Sequence, residues 1–282
     1  SIRKSQLGEG HPETAETYHN LGVVYAEKGD YEKAIQLTQH ALKIEKINSG
    51  PGSPEAANNF FNLGAMHANA GNPREAITHY QKALTLQDRL SGPGHPQTIQ
   101  HHHNLGRAYG GLGDYPRALS HFQKADAIVE TVGDTKPLHI NRLYADLANA
   151  YYQTGHYRQA KTYYRKLLAE RSETPDIAVA AIYNNLGAVC HKMDDLTNAL
   201  RYYQEALTVQ LTQSEKNRPD TAGTCNNLGR IYYEKKDMEK ALQYFHLAHR
   251  IYRDTLGENH PLTQQTGMSI KRITSRQDGG AK

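Results

Sequence analysis

The chain of 282 residues has little of what marks secreted, membrane-inserted or metal-binding proteins. Its two cysteines, Cys190 and Cys225, fall on apolar positions of predicted helices and match no ligand spacing, so we expect buried free thiols in a reducing compartment. No apolar run approaches the roughly 20 residues that span a bilayer, and no signal peptide or Asn-x-Ser/Thr site is visible. These absences favour a cytoplasmic protein without a membrane-inserted segment.

Enzyme signatures are missing as well. The sequence contains no Gly-rich phosphate loop, no His-Glu-x-x-His, no Cys-x-x-Cys and no Gly-x-Ser-x-Gly. The run His101-His102-His103 points its side chains about 100° apart on a helix, which disfavours a shared metal. The net charge of +4 is small for a nucleic-acid module. We therefore expect a non-enzymatic protein without metal or cofactor that binds no nucleic acid.

The main feature of the sequence is a repeated motif. Asn-Leu-Gly triplets, with one Asp-Leu-Ala variant, follow one another at intervals of 42, 42, 42, 39 and 42 residues; they begin at Asn20, Asn62, Asn104, Asp146, Asn185 and Asn227. Such a period is typical of arrays in which each unit buries its apolar face against its neighbours. We predict an all-α protein with a single array over residues 1–275. Its six helix-turn-helix repeats span about 11–48, 53–90, 95–132, 136–170, 174–213 and 218–256, with a capping helix over 260–275 and a disordered tail over 276–282.

Prolines and small residues define the two helices of each repeat. Proline is tolerated in the first helical turn, so seven prolines predict helix starts: Pro12, Pro54, Pro96, Pro137, Pro175, Pro219 and Pro261. The third position of the triplet is a glycine in five repeats, although glycine inside a helix costs up to ~1 kcal/mol relative to alanine. We infer that the second helix crosses closely there. Above that point the second helices carry interlocking aromatic side chains in five repeats, namely Tyr80, Phe122, Tyr164, Tyr203 and Phe245, with Thr38 the exception.

These motifs resemble the tetratricopeptide repeat (TPR). The third repeat shows them as Leu105-Gly106…Tyr109, Gly113-Asp114-Tyr115 and Ala118…Phe122…Ala125. The turn Leu256-Gly257-Glu258-Asn259-His260-Pro261 and the Asn-Leu-Gly triplet are similar to the long repeats of kinesin light chains and nephrocystin-like proteins. The resemblance implies a right-handed superhelix, or α-solenoid, whose first helices line a concave groove. Related repeats use the triplet asparagine to hold the backbone or terminal carboxylate of a bound peptide.

Ten residues on the predicted inner stripe of the first helices are candidates for peptide binding. Asparagine can pair with main-chain N–H and C=O whatever the ligand sequence, cations favour an acidic ligand, and tyrosines can stack on it. The ten are Asn62, Asn104, Arg107, Asn149, Tyr152, Asn185, Lys192, Asn227, Arg230 and Tyr233. Phe61, Ala65 and Ala68 suggest an apolar anchor in the second repeat. Alternatively, the asparagines bond between neighbouring helices and some arginines pair with Asp146.

The pattern as a whole favours a protein-interaction adaptor or scaffold. We expect a monomer whose groove binds a peptide segment, and the cations favour an acidic one. Two other functions stay open at this stage. The array could be a regulatory part of a larger protein, with its groove filled by its own flanking segment, or a structural spacer that self-assembles.

Overall fold

The computed structural model describes residues 8, 10–132, 140–171, 176–212 and 218–279. Within these residues the chain forms thirteen α-helices and no strand, which confirms the predicted all-α solenoid fold. The chain divides into two compact units, Ser1–Thr154 and Gly155–Lys282. The predicted single array over 1–275 stays a prediction.

The described residues of the first unit form seven helices, which pack against one another in consecutive pairs. They are α1 (Pro12–Glu27), α2 (Tyr31–Asn48), α3 (Pro54–Asn69), α4 (Pro73–Ser91), α5 (Thr98–Gly111), α6 (Tyr115–Val132) and α7 (Ile140–Gln153). Each second helix, α2, α4 or α6, packs against its own first helix and against the first helix of the next repeat.

The described residues of the second unit form six helices, of which the first is the second helix of its repeat. They are α8 (Tyr157–Ala169), α9 (Ile177–Lys192), α10 (Leu196–Thr212), α11 (Pro219–Glu234), α12 (Met238–Leu256) and α13 (Pro261–Gly279). Helix α13 packs on α12, in the position that the first helix of a further repeat would take. It continues to Gly279, four residues into the segment predicted as a tail, and residues 280–282 lie outside the described part.

Four of the seven prolines begin helices as predicted: Pro12, Pro54, Pro219 and Pro261. Helix α5 starts two residues after Pro96, at Thr98, because residues 96–97 form a turn first. Pro137 and Pro175 lie outside the described residues.

The turn inside each helix pair needs one residue with positive φ. Gly113 supplies it in the third repeat with φ of 76°, a conformation that costs glycine little. The fifth and sixth repeats place Asp194 (φ 60°) and Lys236 (φ 61°) there instead. Since a left-handed backbone costs a non-glycine residue about 1–2 kcal/mol, these two turns carry strain that the helices on either side must offset.

The triplet glycines lie against the second helix, as predicted. A Cβ built on Gly187 would lie 2.7 Å from the Tyr203 ring, and one on Gly64 would lie 2.5 Å from the Tyr80 ring. These distances are shorter than van der Waals contact, so only glycine allows the helices to approach this closely. The triplet leucines are fully buried from the second repeat onward, whereas Leu21 of the first repeat is 43% exposed.

A hydrogen bond links successive repeats at one recurring place that the sequence motifs do not predict. The Nε2 of Gln81 on α4 donates to the hydroxyl of Tyr109 on α5 at 3.1 Å, and the same bond joins Gln123 to Tyr151 at 2.9 Å. Gln204 of α10 lies 3.5 Å from the Tyr232 hydroxyl of α11. The two partners are 28 residues apart each time, so in these three places a second helix meets the next first helix at the same relative position.

Candidate protein-interaction surface

The first helices of the first unit lie side by side, since α1 contacts α3, α3 contacts α5 and α5 contacts α7. We call the surface formed by these four helices the first-helix face. Polar side chains join neighbouring helices along it. His19 Nδ1 lies 2.7 Å from Asn59 Oδ1, and Asn62 Nδ2 lies 3.5 Å from His19 Nε2. The carboxamide of Asn62 thus meets a neighbouring helix, as in the alternative that the sequence left open.

Arg107 and Asn104 of α5 line one cleft on this face. The cleft has a volume of about 510 Å³, and its opposite wall comprises Ala65, Ala68 and Asn69 of α3. The Arg107 side chain is 60% exposed, and its Nε lies 3.9 Å from the Asp146 carboxylate of α7. Because a guanidinium carries five N–H donors, this single long contact leaves donors for another acceptor. We name this site the Arg107 cleft.

Tyr80 forms part of the wall of the Arg107 cleft. Burial raises the pKa of its hydroxyl to about 12, and the nearby Arg107 charge opposes this rise only in part. The hydroxyl is therefore protonated at neutral pH, and Arg107 supplies the positive charge of the cleft.

Phe61 lines a different cleft, also of about 510 Å³, between the N-terminal halves of α3 and α5. Its ring centroid lies 4.9 Å from that of His101. His101 Nδ1 lies 3.0 Å from the Gln97 carbonyl and must donate to it, so Nε2 is a buried acceptor without a hydrogen-bond partner among the described residues. Burial lowers the pKa of His101, which keeps the ring neutral. We name this site the Phe61 cleft; Ala65 and Ala68, grouped with Phe61 in the sequence, line the Arg107 cleft instead.

Asp146, at the triplet position of the fourth repeat, pairs with α5. His103 Nε2 lies 2.7 Å from its carboxylate, in addition to the longer contact with Arg107. Farther along α7, Asn149 is exposed and Tyr152 is half-buried. The structure thus brings Asn104 and Arg107 into one cleft but does not place Asn149 or Tyr152 in it.

The second unit carries the other candidates on α9 and α11. Asn185, Lys192 and Arg230 are exposed, whereas Asn227 is half-buried. The Arg272 guanidinium of α13 lies 5.0 Å from the centre of the Tyr233 ring, so a residue predicted to contact ligand already stacks on a neighbouring helix.

Histidines that link the first helices were missed in the sequence, although a signal existed. His19 and Asn62, His103 and Asp146, and His191 and Glu234 are all separated by 43 residues, one repeat plus one residue. Side chains at that separation face each other across two adjacent first helices. Such pairs become recognisable in the sequence once the structural period is known.

Within the described ranges, no group of three or more histidine, cysteine or acidic side chains could hold a metal ion. No helix in that same part of the chain combines the length and the apolar character needed to cross a membrane.

Solved structures with the same architecture come from several organisms. A protein of Podosopora anserina, described as a kinesin light chain with nearly identical TPR-like repeats, is 18% identical, with a TM-score of 0.61 over 72% of this chain and 98% of its own. BtubC (BKLC) from P. vanneervenii is 20% identical, with a TM-score of 0.63 over 83% and 92%. Pseudomonas aeruginosa pilF is also 20% identical, with a TM-score of 0.61 over 91% and 98%. At these identities the likeness shows the fold alone.

Family models agree with the architecture. The model described as Tetratricopeptide repeat matches residues 1–46, 55–131 and 178–254, and a second model of the same description matches residues 142–173. No curated protein matches the chain. TPR arrays generally serve as non-enzymatic scaffolds for protein interaction. By its repeats, its helix pairs and these matches, the chain belongs to the tetratricopeptide repeat family.

Proposed function

We propose that this chain is a non-enzymatic adaptor that binds an extended, acidic segment of another protein on its first-helix face. The observation that carries the proposal is the Arg107 cleft, where an exposed guanidinium lies beside two carboxamides, those of Asn69 and Asn104. A guanidinium binds a carboxylate through charge-assisted hydrogen bonds, and carboxamides pair with peptide main chain.

The Arg107 and Phe61 clefts follow one another in the groove between α3 and α5. Gln100, in the wall of the Phe61 cleft, and Arg107 are seven residues apart on α5, which corresponds to about 10 Å along a helix. An extended peptide covers that distance in about three residues. One segment can therefore place a carboxylate at Arg107 and an apolar side chain in the Phe61 cleft.

The exposed cations of the second unit extend the preference for acidic ligands. Lys192 of α9 and Arg230 of α11 stand on helices joined by the bond from Asn184 Nδ2 to Thr224 Oγ1, at 2.6 Å. Asn185 is exposed on the same helix as Lys192 and offers a carboxamide. Because an extended segment loses conformational entropy when it binds, we expect affinities on the order of micromolar.

Selection from a displayed library of random dodecapeptides tests this function. Peptides enriched on the wild-type protein should be acidic, and an Asn104→Ala/Arg107→Glu variant should lose them. For one selected peptide, fluorescence anisotropy should show a Kd raised at least about tenfold by Arg107→Glu, because one charge-assisted contact becomes a repulsion.

The matched control is Arg89→Glu, which reverses the charge of an exposed arginine on the second helix α4. This variant should bind the selected peptide as the wild type does. If selection yields no acidic preference, or if Arg107→Glu and Arg89→Glu change binding equally, the first-helix face is not the binding site.

A further inference from the structure

Two lysines lie near one phenyl ring at the junction of the first two repeats. Phe60 of α3 belongs to the core cluster that also contains Leu42 and Leu63, and it is 8% exposed. The Nζ of Lys46, on α2, lies 5.4 Å from the centre of its ring, and the Nζ of Lys82, on α4, lies 5.6 Å from it. A buried ring thus has ammonium groups from two different helices beside it.

A cleft of about 380 Å³ surrounds this arrangement, and we name it the two-lysine cleft. Pro51 and Leu86 join Phe60 in its apolar lining, and the two lysines and three uncharged polar side chains complete the wall. Within the part of the chain that the structure describes, neither ammonium has a carboxylate within ion-pair distance. Each ammonium has three N–H donors, and the ring can engage only one side of it.

The same place in the next repeat is built differently. One period of 42 residues further on, Asp88 stands where Lys46 does, His102 replaces Phe60, and Lys124 corresponds to Lys82. The negative charge of Asp88 and the positive charge of Lys124 cancel there. The uncompensated pair of cations over an aromatic ring is therefore a property of the junction between the first and second repeats and not of the repeat in general.

We propose that the two-lysine cleft is a second protein-interaction site, which binds a glutamate or aspartate side chain next to an apolar residue of a partner. The ammonium groups that line the cleft donate hydrogen bonds to the carboxylate, and the apolar side chain packs on Phe60, Pro51 and Leu86. The residues that line this cleft come from α2, α3, α4 and the loop between α2 and α3, and none of them lines the Arg107 cleft. The protein can thus hold one partner in each cleft and bridge them.

A pair of small probes tests this proposal without a known partner. N-acetyl-Leu-Glu-amide carries the apolar side chain and the carboxylate, and N-acetyl-Leu-Gln-amide is its uncharged analogue of the same shape. In two-dimensional amide NMR spectra, the glutamate probe should shift the signals of Lys46, Phe60 and Lys82 with saturation, at about tenfold lower concentration than the glutamine probe.

Variants of the two clefts identify which of them the probe binds. Lys46→Gln/Lys82→Gln, checked for unchanged helicity, should lose the shifts at Phe60, and Arg107→Gln should keep them. Equal shifts from both probes, no saturable shift at Phe60, or shifts that disappear with Arg107→Gln would overturn the second site. Loss of peptide binding in the Arg107→Glu experiment above would leave this result unaffected, because the two sites use different side chains.

Discussion

Acidification should destabilise the first unit, because two groups of packed rings there contain histidines that are neutral in the folded state. His79 of α4 lies between the rings of Phe60 and His67, with centroids 6.0 and 5.2 Å away. In the next repeat, the Nδ1 atoms of His102 and His121 lie 3.1 Å apart, so one ring must donate and the other must accept. Protonation of both rings removes the acceptor and places two positive charges side by side.

The direction of the effect follows from the pKa values. Burial lowers the pKa of His79 to about 4, with smaller contributions from His67 and Lys82. Burial also lowers the pKa of His102 to about 4, assisted by His121 and Lys124. In the unfolded chain a histidine titrates near 6.5. The unfolded state therefore binds more protons between pH 6.5 and pH 4, so the stability is complete above pH 6.5 and falls as the pH drops through this range.

The magnitude can be worked out at pH 5. Each ring is then about 1.5 pH units below the unfolded pKa, and one pKa unit corresponds to ~1.4 kcal/mol, which gives about 2 kcal/mol for each histidine. Because both rings are half-buried and solvent screens part of the charge, we expect about 2–4 kcal/mol for His79 and His102 together. That is a large share of the roughly 5–15 kcal/mol that stabilises a folded domain.

Hydrogen exchange read by mass spectrometry provides the assay, with an internal control. The corresponding stacks of the second unit use tyrosines, Tyr183 on Tyr202 and Tyr232 on Tyr244, which do not titrate in this range. After correction for intrinsic exchange rates, α3 to α6 should lose protection between pH 7 and pH 5, and α9 to α12 should lose much less.

Two substitutions copy what other repeats place in the same positions. His79→Tyr and His102→Phe together should remove the part of the pH dependence of the first unit that these two rings carry, because no ring then gains a proton at those sites. NMR titration of the two imidazoles with pKa values near 6.5, or equal losses of protection in both units, would refute the reasoning.

Further predictions concern the packing of the repeats. Gly187→Ala should destabilise the protein by about 1–3 kcal/mol in urea unfolding, because the new methyl meets the Tyr203 ring at 2.7 Å. Gly111→Ala, also in a first helix but with nothing within 4 Å, should instead raise the unfolding free energy by up to ~1 kcal/mol; a loss there would show that helix propensity does not account for the difference. A double-mutant cycle of Gln123→Ala and Tyr151→Phe should give a coupling energy of about 0.5–1.5 kcal/mol, and additive effects would mean that their bond contributes nothing.

The fold could be predicted from the sequence because a structural period makes each observation recur. One glycine in a helix has many explanations, but Gly64, Gly106, Gly187 and Gly229 at a single position require a close helix crossing, which the structure contains. Helix starts were less certain, since α5 begins at Thr98 and not at Pro96. A proline permits a first turn but does not enforce one.

The candidate site was harder to predict, because a helical stripe shows which side chains share a face of one helix but not which residues of other helices they contact. The stripe correctly grouped Asn104 with Arg107 on one helix, but it could not show that Phe61 and Ala65, four residues apart, line two separate clefts. Nor could it show that Arg272 of α13 stacks on Tyr233. These outcomes depend on which side chain of the next helix lies opposite. That side chain can be identified only when the packing distance between the two helices is known.

The bond that joins Gln81 to Tyr109 and Gln123 to Tyr151 has a consequence for how such a chain can change its length. If residues 82–123 were removed, Gln81 would precede Tyr151 by the same 28 residues, and Lys124 would take the place of Lys82. A gene segment of one period can thus be lost or duplicated without breaking the junction that it leaves behind. Recombination between neighbouring repeats would yield proteins with fewer or more binding sites that still fold by the same rules.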